Sequence, residues 1–491
     1  MKYEPVIGLE VHAELATRTK MFCGCRVVDT TTASPNTSVC PVCAGMPGTL
    51  PVLNRRAVEY GIRVGLALEC EVMHTSIFAR KNYFYPDLPK GYQISQYEHP
   101  LAVNGRLVID TPNGELTIRI RRAHLEEDTG KLTHVNGEGE DYSLVDLNRA
   151  GVPLLEIVSE PDMHSLEEVR AYATSLRAIL RALGVNSGDM EKGVIRFEAN
   201  VSIRPVGTSE LGTRVEIKNL NSFRAMERAV AYELERQSVL LDRGGEVSQE
   251  TLGWDEGNRC TYVQRSKEEA HDYRYFPEPD IPPLVVEREW VEQVRQSLPE
   301  LPRAKAHRLH DCYQLSLAEA SILAADKEVA DYFESCAGAL HKASSRTAAI
   351  WITGEIFAYV NQSSESFGNI KVTPQNLAEL LDTLEAGEIN QNTAKTVLGE
   401  MLAHGISAAQ VIREKDLAQV TDTALISSLV GEVIAAHPGE LTSYLAGKET
   451  LANWFFGQVM RSAGGKANPA MLKAELEKQL QQYRSGQSAD K

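Results

Sequence analysis

Three short segments of this sequence alternate apolar residues with carboxylates, an imidazole and amides. They read VIGLEVHAEL, IRFEANVSIR and RVEIKNLN. Side chains alternate between the two faces of a β-strand, so each segment predicts a strand with one apolar face and one polar face. The polar faces carry Glu10, His12 and Glu14 in the first segment, Arg196, Glu198, Asn200 and Arg204 in the second, and Arg214, Glu216 and Lys218 in the third.

A fourth segment, HLEEDTGK, adds His124, Glu126, Glu127 and Asp128 before a turn at Gly130. Converging carboxylates repel one another unless a cation lies between them. Oxygen ligands with one imidazole suit Mg²⁺ or Mn²⁺, the ions that accompany ATP phosphates. The alternative is that these are solvent-facing sides of amphipathic strands. The concentration of Glu, His and Asn on several strands favours a metal site.

Four of the eight cysteines lie close together in the sequence. Cys23 and Cys25 form a C-x-C pair, and after fourteen intervening residues Cys40 and Cys43 form a C-x-x-C pair. Two close pairs joined by a loop are typical of a structural Zn²⁺ site, because each pair chelates the metal from a tight turn. The alternative is a redox pair or free thiols.

The composition limits the class of protein. The chain has 491 residues, 43% of them hydrophobic, which is enough for two to four domains. Its formal net charge of −16 argues against a protein that coats nucleic acid by bulk attraction, so an RNA partner must meet local basic patches. Without an apolar run of membrane-spanning length, the sequence predicts a cytoplasmic protein, or one in an organelle of bacterial origin, that has no membrane partner.

The order of elements predicts an α+β part followed by helices. A capping pattern at Ser165 and Glu168 and a stop at Gly184 predict a helix over Leu166–Leu183, and a second helix is predicted over Phe223–Leu241. Four prolines between Pro277 and Pro283 indicate a domain boundary. Beyond them the pattern is helical.

Two common motifs are missing. The sequence contains no GxxxxGK[ST] loop, so ATP, if used, is not held by a P-loop. It also contains no Gly-Ser-Ser amidase motif, which indicates that the chain does not release ammonia from glutamine itself.

The stretch DLNRAGVPLLEIVSEPD, residues 146–162, interleaves charged and buried-type residues around a Gly-Val-Pro turn. It resembles the signature of the B subunits of aspartyl/glutamyl-tRNA amidotransferases, and most of the first 285 residues are similar to that family. The resemblance implies a glutamine-synthetase-like cradle domain over residues 1–290, with a mixed or antiparallel sheet and a zinc-binding insertion at 23–43. An all-α helical domain (291–405) and a small all-α tail domain that binds tRNA (406–491) follow.

The resemblance also implies roles for individual residues. Glu198 is a departure, because many family members have Cys-Asp where this chain has Phe197-Glu198, and glutamate reaches one methylene further. The implied Mg²⁺ ligands are Glu10, His12, Glu127, Glu198 and Glu216, and the implied catalytic residues are Glu10, His12, Lys81, Glu127 and Glu216. The implied substrate- and ATP-binding residues are Tyr83, Arg149, Asn200, Arg204, Lys218, Asn219 and Arg274. The implied tRNA contacts are Arg461, Lys466 and Asn468.

The function implied by the resemblance is ATP-dependent carbon–nitrogen ligation with glutamine as amido donor. The chain would phosphorylate the side-chain carboxylate of Glu on tRNA(Gln) or Asp on tRNA(Asn). Ammonia from a partner amidase, the A subunit, would then displace the phosphate, and a small C subunit would complete a heterotrimer. Two alternatives stay open on the residues alone: a stand-alone glutamine-synthetase-like ligase for a small carboxylate, and a non-catalytic zinc-bearing RNA-binding protein.

Overall fold

The computed structural model describes residues 2–135, 141–266, 273–363, 365–417, 423–464 and 467–489. The chain forms two compact units, Met1–Ala304 and Lys305–Lys491. Within the described residues, each helix is too short or too polar to cross a lipid bilayer.

The first unit is built around a large mixed sheet. Its strands and helices are β1 Tyr3–Glu14, α1 Arg55–Ala67, β2 Glu71–Val72, β3 Thr75–Ser76, β4 Ala79–Asn82, β5 Tyr92–Ser95, β6 Ala102–Thr111, β7 Gly114–Glu127, β8 Lys131–Val135, β9 Tyr142–Asp146, β10 Pro153–Ser159, α2 Leu166–Ala182, β11 Ile195–Pro205, β12 Val215–Leu220, α3 Phe223–Asp242, β13 Glu250–Asp255, β14 Cys260–Ser266, β15 Phe276–Pro277, β16 Leu284–Val285 and α4 Arg288–Gln296.

The nine strands of this sheet are ordered β14-β13-β12-β11-β1-β10-β7-β6-β2. β12 and β13 run parallel, whereas the other neighbouring strands are antiparallel. The alternation predicted for β1 is confirmed, because Leu9, Val11 and Ala13 are fully buried in the core. The side chains that alternate with them point to the opposite face of the sheet, where they can line a site.

Helices α2 and α3 cover the apolar face of the sheet and confirm the two helices predicted from the sequence. Leu176 and Leu180 of α2 belong to the same core as β1. The hydroxyl of Ser165 accepts a hydrogen bond from the Glu168 backbone N–H and so caps α2. The Glu168 carboxylate accepts from the backbone N–H of His164, one residue before the position that a capping box uses.

The second unit is helical and contains two separate hydrophobic cores. Its elements are α5 Pro302–Tyr313, α6 Leu317–Ala324, α7 Lys327–Ala339, α8 Ser345–Trp351, a π-helical turn Ile352–Ile356, α9 Phe357–Ser363, a 3₁₀ turn Phe367–Asn369, α10 Pro374–Glu385, α11 Gln391–His404, α12 Ala408–Glu414, α13 Thr423–Ala436, α14 Pro438–Leu445, α15 Leu451–Ser462 and α16 Pro469–Ala489. One core lies between Ala306 and Val411, and the other between Ile426 and Leu480. The predicted order, a mixed α and β part followed by helices, is confirmed.

Candidate active site

A cavity of about 990 Å³ lies over the face of the sheet that is turned away from the core. Five adjacent strands supply its floor: Glu216 on β12, Glu198 on β11, Glu10 and His12 on β1, Glu156 on β10, and His124 and Glu126 on β7. Strand pairing explains this convergence, because directly opposed residues share a face of a sheet. His12 is opposite Glu156, and Glu10 is opposite Glu198.

One group of ligand-type atoms on this floor consists of His12, Glu126 and Glu156. The His12 Nε2 atom lies 3.2 Å from Glu156 Oε2 and 3.8 Å from Glu126 Oε1. Burial, together with the charge of Glu156, raises the pKa of Glu126 to about 7. Burial lowers the pKa of His12, but its hydrogen bond with Glu156 and the surrounding carboxylates outweigh burial and raise that pKa to about 9. The cluster therefore holds excess negative charge in a desolvated position.

A second group consists of Glu10, Glu198 and Glu216. Lys218 lies between two of these carboxylates, 2.9 Å from Glu198 Oε2 and 3.3 Å from Glu216 Oε1. Asn200 donates a hydrogen bond of 2.9 Å to Glu10 Oε1. Burial and the neighbouring carboxylates raise the pKa of Glu10.

Both groups fit hard divalent cations. In each group, one ligand atom per residue lies within 4.8 Å of the others, and the donors are carboxylate oxygens and a single imidazole nitrogen. Among the described residues, His12 Nδ1 and Asn200 Oδ1 are buried without a hydrogen-bond partner. Such atoms are unusual in a folded protein and are expected next to a bound ion or ligand.

The wall of the cavity is aromatic and basic. The Lys81 ammonium lies 5.0 Å from the centre of the Tyr273 ring and 5.9 Å from that of Tyr83. Tyr97 and Tyr275 stack with their ring centres 4.2 Å apart. Although burial lowers the pKa of Lys81, the charges of nearby carboxylates raise it above its ordinary value, so the ammonium stays charged. A charged, desolvated lysine at a cavity wall suits an anionic substrate.

The cysteine quartet forms a second candidate metal site. One sulfur atom from each of Cys23, Cys25, Cys40 and Cys43 lies within 4.8 Å of the others, and Cys43 Sγ is 3.9 Å from Cys40 Sγ and 4.0 Å from Cys25 Sγ. Four thiolates around Zn²⁺ are about 3.8 Å apart, given a Zn–S distance of about 2.3 Å. The quartet therefore fits a tetrahedral zinc site.

A buried lysine supports this quartet. Lys20 is fully buried and donates to Cys43 Sγ at 3.5 Å and to the Leu147 carbonyl at 3.1 Å. A hydrogen bond with Cys23, and further contacts that include Lys20, lower the pKa of the Cys43 thiol to about 4. No sequence pattern indicated Lys20, because a single lysine ahead of a cysteine cluster is normally exposed.

Comparison with known proteins places the chain in a family. The model for the GatB/GatE catalytic domain matches residues 5–292, and that for the GatB domain matches residues 331–480. The B subunit of the aspartyl/glutamyl-tRNA(Asn/Gln) amidotransferase of Myxococcus xanthus is 50% identical over 478 residues, which are 97% of this chain and 98% of that protein.

The proteins of the same name from Moorella thermoacetica and Geotalea daltonii are 49% and 50% identical, and each match covers 98% of this chain and 100% of the relative. The chain belongs to the GatB/GatE family. The cavity lies wholly within the residues that match the catalytic-domain model of this family.

The structure brings most of the sequence-predicted residues of this GatB/GatE member to the cavity. Those that line it are Glu10, His12, Lys81, Tyr83, Glu198, Glu216 and Lys218, and Asn200 lies next to them. The backbone of Asn219 belongs to β12, between Lys218 and Leu220.

Glu127 is not brought to the cavity. It follows Glu126 on β7 and therefore points to the other face of the sheet. There its Oε1 accepts a hydrogen bond of 3.0 Å from the Ile94 backbone N–H and pairs with the Lys90 ammonium. The position that the sequence analysis assigned to Glu127 is occupied by Glu126.

Three predicted arginines also lie outside this cavity. Arg149 donates to the carbonyl oxygens of Thr129 and Gly130 at 3.0 and 2.7 Å and so holds the turn after β7. Arg204 pairs with Glu4 and lines a different cavity of about 530 Å³. Arg274 is exposed and has a positive φ of 45°.

The predicted tRNA contacts lie in the second unit. Arg461 is exposed in the last turn of α15. The side-chain oxygen of Asn468 accepts from the backbone N–H groups of Ala470 and Met471 at 3.0 and 3.2 Å, so it caps α16. Lys466 lies outside the described residues.

Several residues of the cavity are not among the site residues predicted from the sequence. Glu156 could have been identified from the sequence, because it is the single charged residue in the buried run Pro153–Ser159. Arg122 carried no such signal, because the alternation along β7 changes phase between Ile120 and Ala123.

Proposed function

We infer that the chain is the B subunit of an aspartyl/glutamyl-tRNA amidotransferase, an ATP-dependent ligase that works as part of a heterotrimer. The cavity carries this inference, because its floor joins two clusters of carboxylates and an imidazole that fit divalent cations, within a chain that matches relatives named as B subunits over nearly its whole length. Neither a stand-alone ligase nor a non-catalytic RNA-binding protein is supported, since the relatives are named as subunits of an amidotransferase.

The organisation proposed for the complex follows the resemblance. Residues 1–290 form a glutamine-synthetase-like cradle domain with the zinc-bearing insertion 23–43, residues 291–405 a helical domain, and residues 406–491 a tail that binds tRNA through Arg461, Lys466 and Asn468. The A subunit, an amidase, releases ammonia from glutamine, and the small C subunit completes the heterotrimer. We place the reaction in the bacterial cytoplasm, where mischarged tRNA(Gln) and tRNA(Asn) are made.

The proposed reaction converts a carboxylate into an amide. A side-chain oxygen of the glutamyl or aspartyl group attacks the γ-phosphorus of ATP, and the bond between that phosphorus and the bridging oxygen breaks, which releases ADP. Ammonia then attacks the acyl carbon, phosphate leaves with the former carboxylate oxygen, and the proton that the nitrogen loses ends on the phosphate. Little covalent chemistry falls to the protein, so positioning and charge stabilisation dominate.

The residues of the cavity divide this work. Lys81 lies between aromatic rings that keep water away from its ammonium group, and we propose that it holds a phosphate or the substrate carboxylate. Lys218 offsets part of the negative charge of Glu198 and Glu216. Tyr97 and Tyr275 form a flat surface on which a nucleoside base can stack.

We propose that His12, Glu126 and Glu156 hold one Mg²⁺ ion, and that Glu10, Glu198 and Glu216 hold a second. When bound, Mg²⁺ neutralises charge on the phosphate oxygens of ATP. The ligand-type atoms, their burial and their mutual repulsion support this assignment. Cys23, Cys25, Cys40 and Cys43 are proposed to hold a structural Zn²⁺ ion.

The test is ADP formation by the purified heterotrimer with ATP, Mg²⁺, glutamine and either Glu-tRNA(Gln) or Asp-tRNA(Asn). The inference predicts that ADP forms only with mischarged tRNA and in a 1:1 ratio to the amidated product. Uncharged tRNA is the control. Amidation of free glutamate would instead support a stand-alone ligase, and no ADP formation with either tRNA would refute the inference.

A matched pair of substitutions tests the metal cluster. Glu156→Gln removes a ligand oxygen from the floor of the cavity, and we expect turnover to fall by about 100-fold or more. Glu160→Gln, four residues later, changes a carboxylate that pairs with Arg121 and does not line the cavity, so turnover stays near wild type. Equal turnover of the two variants contradicts the metal assignment.

A further inference from the structure

Strand β7 contains an irregularity that directs two consecutive arginines to the same side. Ile118 and Ile120 point into the core, but so do Ala123 and Leu125, so the alternation changes phase between them. The ladder with β10 shifts at this point, since Val158 is opposite Arg122 and Ser159 is opposite Ile120. Such β-bulges re-aim side chains and are frequent next to active sites.

The three arginines of this part of β7 have different environments. Arg119 makes a two-pronged pair with Asp162, at 2.8 and 2.6 Å, and Arg121 makes one with Glu160, at 2.9 and 2.8 Å. Both pairs lie outside the cavity. Arg122 lines the cavity and makes no such pair among the residues that the structure describes.

The nearest carboxylate oxygen to Arg122, Glu156 Oε1, lies 3.8 Å from its Nη2 atom. Its Nε atom is buried and has no hydrogen-bond partner among the described residues. The N–H donors of a half-buried guanidinium normally form hydrogen bonds, because a buried donor without a partner lowers the stability of the fold. The described residues therefore leave part of the hydrogen-bonding capacity of Arg122 unused.

The position of Arg122 relative to the first carboxylate cluster indicates its ligand. Glu156 turns its Oε2 atom towards His12, at 3.2 Å, and its Oε1 atom towards Arg122. A cation held by His12, Glu126 and Glu156 would therefore lie beside the guanidinium group of Arg122. The cation and the guanidinium would then both face the same part of the cavity. A ligand with several anionic oxygens can contact both positive charges, and it does so better than a single carboxylate.

We propose that Arg122 is a catalytic residue that donates hydrogen bonds to the oxygens of the phosphoryl group in transfer. This proposal rests on the proposed function. As the carboxylate oxygen bonds to the γ-phosphorus, the bridging bond to ADP breaks and its electron pair leaves with ADP. The guanidinium contacts the oxygens that the phosphoryl group keeps, both in ATP and in the acyl phosphate, and no proton is transferred.

The test uses the complete heterotrimer with ammonium chloride as nitrogen donor, so that ammonia release by the amidase does not limit the rate. The variants are Arg122→Gln, Arg122→Lys, Arg122→Ala and, as matched control, Arg119→Gln. Arg122→Gln is expected to lower kcat for ADP formation by at least about 100-fold, with KM for aminoacyl-tRNA within about threefold of wild type. Arg122→Lys keeps the charge without the planar fork, so its kcat falls between those of wild type and Arg122→Gln.

Chemical rescue separates a contact with substrate from a structural role. Ethylguanidinium added to the Arg122→Ala enzyme is expected to restore ADP formation in proportion to its concentration, whereas ethylammonium restores much less. Arg119→Gln stays within about twofold of wild type, because its pair lies outside the cavity.

Three results would overturn the proposal: wild-type kcat in Arg122→Gln, a loss that ethylguanidinium does not rescue, or a loss matched by Arg119→Gln. Glutamine hydrolysis and the melting temperature of each complex report whether it assembled and folded. Failure of the wild-type complex to form ADP with mischarged tRNA would instead refute the proposed function itself, and the role of Arg122 with it.

Discussion

Replacing Glu126 by glutamine is expected to stabilise the metal-free protein while abolishing its activity. The Glu126 side chain is 3% exposed and lies 3.8 Å from His12, with the carboxylate of Glu156 beside it. Its pKa is about 7 in the folded protein against 4.5 as the ordinary value, chiefly because of burial. Ser95 Oγ donates to Glu126 Oε2 at 3.0 Å, and the glutamine oxygen can accept the same bond.

The sign of the pH dependence follows from that difference. Between 4.5 and about 7 the folded state binds a proton that the unfolded state has lost, so stability falls as the pH rises through this range. Above about pH 7, Glu126 is ionised in the folded wild-type protein, which then carries the full free-energy cost of burying that charge. The gap corresponds to at most about 3 kcal/mol, at about 1.4 kcal/mol per pH unit. Glutamine does not titrate and avoids this loss.

Urea unfolding of the metal-free protein at about pH 5 and about pH 8 measures the effect. Glu126→Gln and wild type should differ little at the lower pH, and the variant should be more stable by up to about 3 kcal/mol at the higher pH. Added Mg²⁺ should reverse the order at a thousandfold excess over Kd, because it stabilises only a protein that binds it, by about 4.1 kcal/mol at that excess. Parallel pH profiles for the two proteins, or a variant that is less stable at the higher pH without metal, would refute the reasoning.

Three further predictions concern other parts of the chain. Glu127→Gln leaves the Lys90 ammonium half-buried without its carboxylate, so unfolding free energy should fall by about 3 kcal/mol in urea titrations, and Lys90→Met in the same chain should recover part of the loss. Cys43→Ser should abolish binding of one Zn²⁺ per chain by atomic absorption, whereas Cys70→Ser, which changes a buried thiol outside the quartet, should leave it intact. Arg461→Glu should weaken tRNA binding by about tenfold in filter assays and reduce its salt dependence, whereas unchanged affinity would remove Arg461 from the interface.

Strand alternation made much of the site predictable. Because β1 is regular, the pattern in VIGLEVHAEL was enough to place Glu10 and His12 on one face and the apolar residues on the other. The same reasoning held for Glu198 on β11 and Glu216 on β12. The cap at Ser165 likewise determined the start of α2, because a local hydrogen bond decides it.

The predicted residues that lie outside the cavity depend on strand phase and on long-range contacts, which the sequence does not reveal. Two adjacent glutamates on one strand, as in HLEED, cannot both face the cavity. The upstream bulge sets the phase of the strand so that Glu126 faces it. The same bulge brought Arg122 to the cavity without a recognisable pattern. Arg149 and Arg204 have partners from the Thr129–Gly130 turn and from β1, and such long-range contacts are set by the tertiary fold.

The central place of β1 has a consequence for inhibitor design. Glu10 and His12 are two residues apart on one strand that is hydrogen-bonded on both sides, so about 7 Å of backbone separates the residues that β1 contributes to the two clusters. If both clusters hold ions, a compound with two chelating groups would meet a spacing that the backbone of β1 limits. A substitution elsewhere on β1 cannot move Glu10 relative to His12 along the strand, so only replacement of one of these two residues changes their spacing.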